Sequence, residues 1–285
     1  MSTPSNSKIP IALTVAGSDS GGGAGLQADL RTFAFHCVHG TSALTCITAQ
    51  NTLGVDRVDA LSSEAVVAQI EAVTTDIGLD AAKTGMLLNS EIIAAVARTF
   101  EGLETVPVVV DPVMVSRTGA QLIDDEAIAT LRDRLIPQAV LVTPNRYEAQ
   151  ILSGLEIGNL EDMRSAARYI RDFGARAVLV KGGSTSGALR GVDVLYDGRE
   201  YATLKTETVD TPHTHGTGCT LSAAIAANLA RGLDLQEAVE RAKNYLTQAL
   251  KHSLAIGSGQ GPAGHFFPLL KNFEGYSSHR DDNST

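Results

Sequence analysis

The 285-residue sequence has no tryptophan and only three cysteines, Cys37, Cys46 and Cys219, an odd number at wide spacing. That count excludes a disulfide framework and a paired-cysteine zinc motif, and the cysteines read as reduced thiols. Basic residues are also scarce: 23 Lys and Arg stand against 32 Asp and Glu, for a net charge of −9. Without a basic face the chain is not expected to bind nucleic acid or an anionic membrane, and a small molecule is the expected ligand. Long apolar runs are missing as well. No stretch reaches the length that spans a bilayer, and MSTPSNSK at the start lacks the apolar core of an export signal. The expected location is the cytoplasm. No internal repeat is visible, and no complete Walker A string occurs.

With 44% hydrophobic and 19% charged residues, the chain can bury one large core. The expected unit is a single domain over 9–270, with polar segments at 1–8 and 271–285 that fray. Short β-branched runs recur at IALTVA (11–16), DAAKTG (80–85), VPVVVD (106–111), AVLVTP (139–144) and AVLVKG (177–182). They read as buried parallel strands. Between them fall helical periods at Val66, Ile70, Val73 and Ile77, at Ile128, Leu131 and Leu135, and at Met163, Ala167 and Ile170. Alternating strands and helices predict an α/β fold, a mostly parallel sheet covered on both faces. In VDVLYDGREYATL, Asp197-Gly198 separates two alternating runs and predicts a β-hairpin that extends the sheet. Two helices close the chain, the last from Leu235.

Ligands of such sheets bind beyond the carboxyl ends of the strands. After the first run comes AGSDSGGGAGLQADL, a glycine-rich turn leading into a helix. GAGLQA matches a relaxed dinucleotide fingerprint, but the acid required about twenty positions later is absent, where the chain reads CITAQN. Asp29 shares the apolar side of that helix with Leu26, Leu30 and Phe33, so its carboxylate needs a partner, either structural or a ligand. In THGTGCTLSAAIAANLA the free amides of Gly216, Thr217, Gly218 and Cys219 at a helix start make an anion site. His213, His215 and Cys219 lack the fourth ligand of a structural zinc. His36, Cys37 and His39 read as helix end and loop. Asp111 and Glu148 follow buried strands, where carboxylates can hold Mg²⁺ directly or through water. Lys181 ends a strand before two glycines, and its ammonium could reach triphosphate oxygens.

The ordered strings AGSDSGGGAG with QADL, TAQNTLGV, KTGML, DPVMVS followed by TG, TPNRYEA, VLVKGG and HGTGCTLSAA resemble the ribokinase-like superfamily. Within it they closely resemble the hydroxymethylpyrimidine/phosphomethylpyrimidine kinases of thiamin biosynthesis, over about residues 9–268. The resemblance implies a three-layer α/β/α sandwich, usually dimeric, that uses ATP and Mg²⁺ to phosphorylate 4-amino-5-hydroxymethyl-2-methylpyrimidine and then its monophosphate. It places the pyrimidine against Gly17, Asp29, Gln50, Met86 and Val113. Asp111 and Glu148 fall at metal- and phosphate-organising positions, and Asn145, Lys181 and Thr217 on the nucleotide side. Gly216, Thr217, Gly218 and Cys219 form the catalytic anion hole. Most of the superfamily has Asp where this chain has Cys219, a substitution typical of the pyrimidine kinase branch. A helix N-terminus is expected to shift that thiol toward thiolate. Pyridoxal kinase and a non-catalytic nucleotide or vitamer sensor are the alternative readings.

Overall fold

The computed structural model describes residues 8–103, 105–114, 122–183 and 187–272. Residues 1–7 and 273–285, most of the two segments expected to fray, lie outside these, as do Ser116, Thr118 and Gly119. The strands are β1 (Ile11–Asp19), β2 (His39–Gln50), β3 (Val55–Ala60), β4 (Ala81–Thr84), β5 (Val108–Val110), β6 (Leu141–Val142), β7 (Val178–Lys181), β8 (Val192–Tyr196) and β9 (Tyr201–Lys205). The helices are α1 (Gly25–Phe35), α2 (Ser63–Asp76), α3 (Ser90–Phe100), α4 (Asp125–Thr130), α5 (Arg146–Ser153), α6 (Leu160–Arg171), α7 (Thr217–Ala230) and α8 (Leu235–Lys251).

All nine strands form one sheet, ordered β3-β2-β1-β4-β5-β6-β7-β8-β9. The six from β2 to β7 run parallel, while β3 pairs antiparallel with β2, and β8 and β9 add the antiparallel hairpin. Every residue of β5 is buried, because helices cover both faces and leave no polar side. Strand side chains alternate between two cores. Leu13, Val15, Ala82, Val108 and Val110 pack against α2, α3, α5 and α6. Ala12, Val109, Leu141 and Leu179 pack against α1, α7 and α8. The three-layer sandwich is therefore as the alternation predicts.

Two strands are additions to the sequence reading. The run His39–Gln50 alternates small and polar residues and carries few of the bulky β-branched side chains that mark the others, yet β2 is the longest strand at 12 residues. His39 opens this strand, so only His36 and Cys37 of the trio lie at the helix end, Cys37 with φ of 57°. The chain passes from β1 outward to β2, then returns to place β4 on the other side of β1. That reversal opens a crevice at the carboxyl ends of β1 and β4, the position where α/β sheets bind ligands.

Candidate active site

Helix capping marks the site before any side chain does. Helices α2, α3, α4, α5, α6 and α8 each begin with a Ser, Asn or Asp side chain that accepts an amide of the first turn. The starts of α1 and α7, at Ala24 and Gly216, have no such cap. Both meet above the crevice. A Cβ placed on Gly216 would lie 1.8 Å from the Gly23 carbonyl oxygen, and φ of 77° at Gly216 already demands glycine. No side chain caps α7, although the Thr217 amide donates to the Thr214 carbonyl at 3.4 Å, and its positive dipole end suits an anion.

Beside α7, the Lys181 ammonium donates to Asp111 Oδ1 at 3.0 Å, and the Ser222 hydroxyl to Oδ2 at 3.2 Å. Gly218 faces the same pair: a Cβ there would sit 3.6 Å from Lys181 Nζ and 3.7 Å from Asp111 Oδ2. Burial pushes the Asp111 carboxyl up, but Lys181 and Lys83 outweigh it and hold it below the usual carboxylate range. Glu148 is a helix cap as well as a site acid. Its Oε2 accepts the Asn145 amide at 2.8 Å, while Asn145 Oδ1 accepts the Glu148 amide at 3.0 Å. That capping box occupies the Asn145 carbonyl oxygen, and Asn145 also bridges to Lys181 through the backbone. Burial, with Asp111 adding, raises Glu148 to about 7 despite Lys181.

Two buried carboxylates that repel one another suit a hard divalent cation, which takes oxygen ligands. Among the described residues no three His, Cys, Asp or Glu side chains cluster as a metal site. A cation held by Asp111 and Glu148 would take its other ligands from phosphate and water. The residues therefore fit Mg²⁺ brought with a nucleotide. A Glu148 that held such a cation would have to ionise first, so the apparent affinity for Mg-ATP at limiting magnesium is expected to fall as pH drops below about 7. Measured KM for Mg-ATP across pH should lose this limb in Glu148→Gln; an unchanged limb in the variant would assign it to another group.

On the other side of α7, Asp29 is fully buried. Both its oxygens lie 3.0 Å from Lys83 Nζ, and Oδ2 also accepts the Thr14 hydroxyl at 2.6 Å. The partner that Asp29 required is thus Lys83, a side chain with no exposed surface. Reading DAAKTG as a strand concealed this lysine, since an isolated Lys in an apolar run carries no spacing signal. Burial favours its neutral form, but Asp29, with Asp111 adding, outweighs that and keeps the ammonium charged. Gly17 admits no side chain, since a Cβ would come within 2.7 Å of Cys46 Sγ and 2.9 Å of Met86 Cε. Gln50 ends β2, and Val113 follows β5. The Val113 amide donates to the Asp111 carbonyl at 2.9 Å, and Gln50 Nε2 lies 3.4 Å from His215 Nε2. Asp19 and His215, paired at 2.8 Å, are further polar residues absent from the sequence-based set.

Cys219 corrects one expectation. Burial dominates over the helix start and pushes its thiol up to about 11; Lys83 pulls it down, Asp29 and Asp111 add to the rise, and the Gly25 amide donates to the sulfur. The group is a thiol, not a thiolate, near neutral pH. Iodoacetamide should therefore label exposed Cys37 and leave Cys219 and turnover intact, as peptide mass mapping would check. Inactivation that tracks Cys219 labelling would contradict this.

The fold and site define a ribokinase-like phosphotransferase: a helix start without a side-chain cap, flanked on one side by a lysine and two carboxylates and on the other by a buried Asp29–Lys83 pair. The family model for phosphomethylpyrimidine kinase matches residues 19–264. The chain belongs to that family. It is 62% identical over 262 residues to the hydroxymethylpyrimidine/phosphomethylpyrimidine kinase of Synechococcus elongatus, covering 92% of this chain and 99% of the relative. Among solved structures it resembles phosphomethylpyrimidine kinase from Clostridium difficile, with 41% identity and a TM-score of 0.77 over 85% of this chain and 99% of that one. It also resembles an ADP complex of Bacillus subtilis pyridoxal kinase, with 41% identity and a TM-score of 0.83 over 91% and 98%.

Proposed function

We propose that the chain transfers the terminal phosphoryl group of ATP to 4-amino-5-hydroxymethyl-2-methylpyrimidine and then to its monophosphate, forming the diphosphate used for thiamin. The observation that carries this is the start of α7, free of a side-chain cap and set between the Lys181–Asp111 pair and the Asp29–Lys83 pair. The nucleotide lies on the Lys181 side, with its phosphates toward Lys181, Asn145 and Thr217. Asp111 and Glu148 would hold Mg²⁺, which would supply charge neutralisation at the phosphates. The pyrimidine lies among Gly17, Asp29, Gln50, Met86 and Val113, where polar edges meet apolar faces.

In the first step the substrate hydroxyl oxygen bonds to the γ-phosphorus, the bond to the bridging β–γ oxygen breaks and ADP leaves, while the hydroxyl proton passes to an oxygen of the transferred phosphoryl group and on to water. Charge on the transferred oxygens is met by Lys181 and the amides of Gly216, Thr217, Gly218 and Cys219. A loose transition state needs little proton removal before transfer, so a protonated Cys219 serves by holding the hydroxyl rather than by deprotonating it. Mg-ATP turnover with the hydroxymethylpyrimidine, its monophosphate and pyridoxal, with products weighed by mass spectrometry, tests the assignment. The expected main product is the pyrimidine diphosphate; turnover of pyridoxal alone would overturn the substrate.

The enzyme acts as a soluble cytoplasmic homodimer in this reading. All of β3 is exposed at the sheet edge, and Ile47, Leu53, Val55 and Val58 are 49%, 72%, 50% and 43% exposed around it. Such an apolar edge favours cover by a second copy. Light scattering should give twice 29.9 kDa, and a monomer at working concentration would refute it. No described helix is long and apolar enough to cross a membrane.

A further inference from the structure

We infer that Asp19 and His215 form a clasp that fixes the distance between the acceptor pocket and the phosphate-binding helix start, which makes His215 a positioning residue for transfer. The inference rests on the kinase reading above. Asp19 ends β1 and is 3% exposed. Its Oδ1 accepts the Gly21 amide at 2.9 Å, and its Oδ2 accepts the amides of Gly23 at 3.0 Å and Ala24 at 2.8 Å. One carboxylate thus shapes the whole glycine turn that follows Gly17. The same Oδ2 lies 2.8 Å from His215 Nε2. A carboxylate only accepts, so the ring proton sits on Nε2 and is donated to Asp19.

His215 immediately precedes Gly216, and its backbone is held independently of its ring. Its amide donates to the Gly261 carbonyl at 3.2 Å, and its carbonyl accepts the Ala263 amide at 3.3 Å. With the backbone anchored to 261–263, the imidazole reaches across to the opposite wall. There it packs so closely that a Cβ on Gly23 would lie 2.3 Å from His215 Cδ2. Gln50, on the pyrimidine side, brings its amide nitrogen to 3.4 Å from Nε2. His215 therefore ties the glycine turn and an acceptor-side residue, which its ring meets, to the first residue of the anion hole, which follows it in the chain. No other described side chain hydrogen-bonded to Asp19 joins that turn to the start of α7. Without the clasp the acceptor hydroxyl drifts from the γ-phosphorus, and water can attack in its place, giving ADP and inorganic phosphate.

The test compares His215→Phe, which keeps a ring without a donor, with His215→Gln, whose amide nitrogen can donate to Asp19. His215→Phe is expected to lose about 100-fold in kcat, the scale of an ångström-sized misplacement. Its ADP released per pyrimidine phosphorylated should rise above the wild-type ratio, and His215→Gln should restore both values to within about threefold. Thermal midpoints for the three proteins accompany the kinetics. A drop in active protein at unchanged ADP-to-product ratio would make His215 merely structural and overturn the inference. So would wild-type kcat in His215→Phe, or a His215→Gln as slow and uncoupled as His215→Phe. Failure of the wild-type protein to phosphorylate the pyrimidine would instead refute the kinase reading.

Discussion

Lys83→Met is expected to destabilise the protein by about 3–5 kcal/mol, because it strands the Asp29 carboxylate in a site with no exposed surface. Lys83 supplies two of the contacts that satisfy Asp29, and Thr14 alone remains after its loss. Burial already raises the Asp29 carboxyl above its ordinary value even with Lys83 present. Removing the ammonium raises it further. A group whose folded pKa lies above its unfolded value contributes stability that is present below the unfolded pKa and lost as pH rises through the folded one. The defect of Lys83→Met should therefore be small in mildly acidic buffer and grow toward alkaline pH. Adding Asp29→Asn should recover much of it, since the double variant buries no lone charge. Urea titrations of the single and double variants at several pH values measure this. Additive losses with no pH dependence would show that the pair contributes only packing.

Gly218→Val is expected to remove about 10²–10³-fold of kcat while leaving the thermal midpoint within a few degrees. A Cβ at this position meets only Lys181 Nζ and Asp111 Oδ2, at ordinary contact distances, so the backbone need not move. Its valine branches enter the space where the transferred phosphoryl group must approach the amides of α7. Gly216 is a poorer probe. Its positive φ and the 1.8 Å approach to Gly23 mean that any side chain there disrupts the junction itself. Cys219→Ser should cost well under the ~100-fold that loss of a general base brings, because a thiol at about 11 is not the base near neutral pH. Steady-state kinetics that rank Cys219→Ser below Gly218→Val would restore Cys219 as the chemical centre.

Much of this site was legible because its residues sit at strand ends and helix starts, where local rules assign their surroundings. Asp111, Lys181 and the Gly216–Cys219 amides each end or begin an element whose period is plain in the sequence. Asp111 and Lys181 share the carboxyl edge of the parallel strands β5 and β7, and α7 lies beside them. Lys83 and Asp19 were not legible, for a different physical reason. Their partners Asp29 and His215 lie 54 and 196 residues away, and only tertiary packing makes those charges buried and paired. Strand β2 escaped because Gly40, Ser42 and Ala43 dilute its β-branched content, although both neighbours pair with it. The thiol of Cys219 was misjudged because a helix start is a local feature, whereas the burial that outweighs it comes from the whole site.

The most direct test of the central claim, that one helix start serves both transfers, is a single-turnover time course with enzyme in excess over the hydroxymethylpyrimidine and saturating Mg-ATP. The monophosphate should rise and then fall as the diphosphate forms, and Gly218→Val should slow both phases together. A variant that blocks only one phase, or a wild-type trace that stops at the monophosphate, would contradict a single shared site.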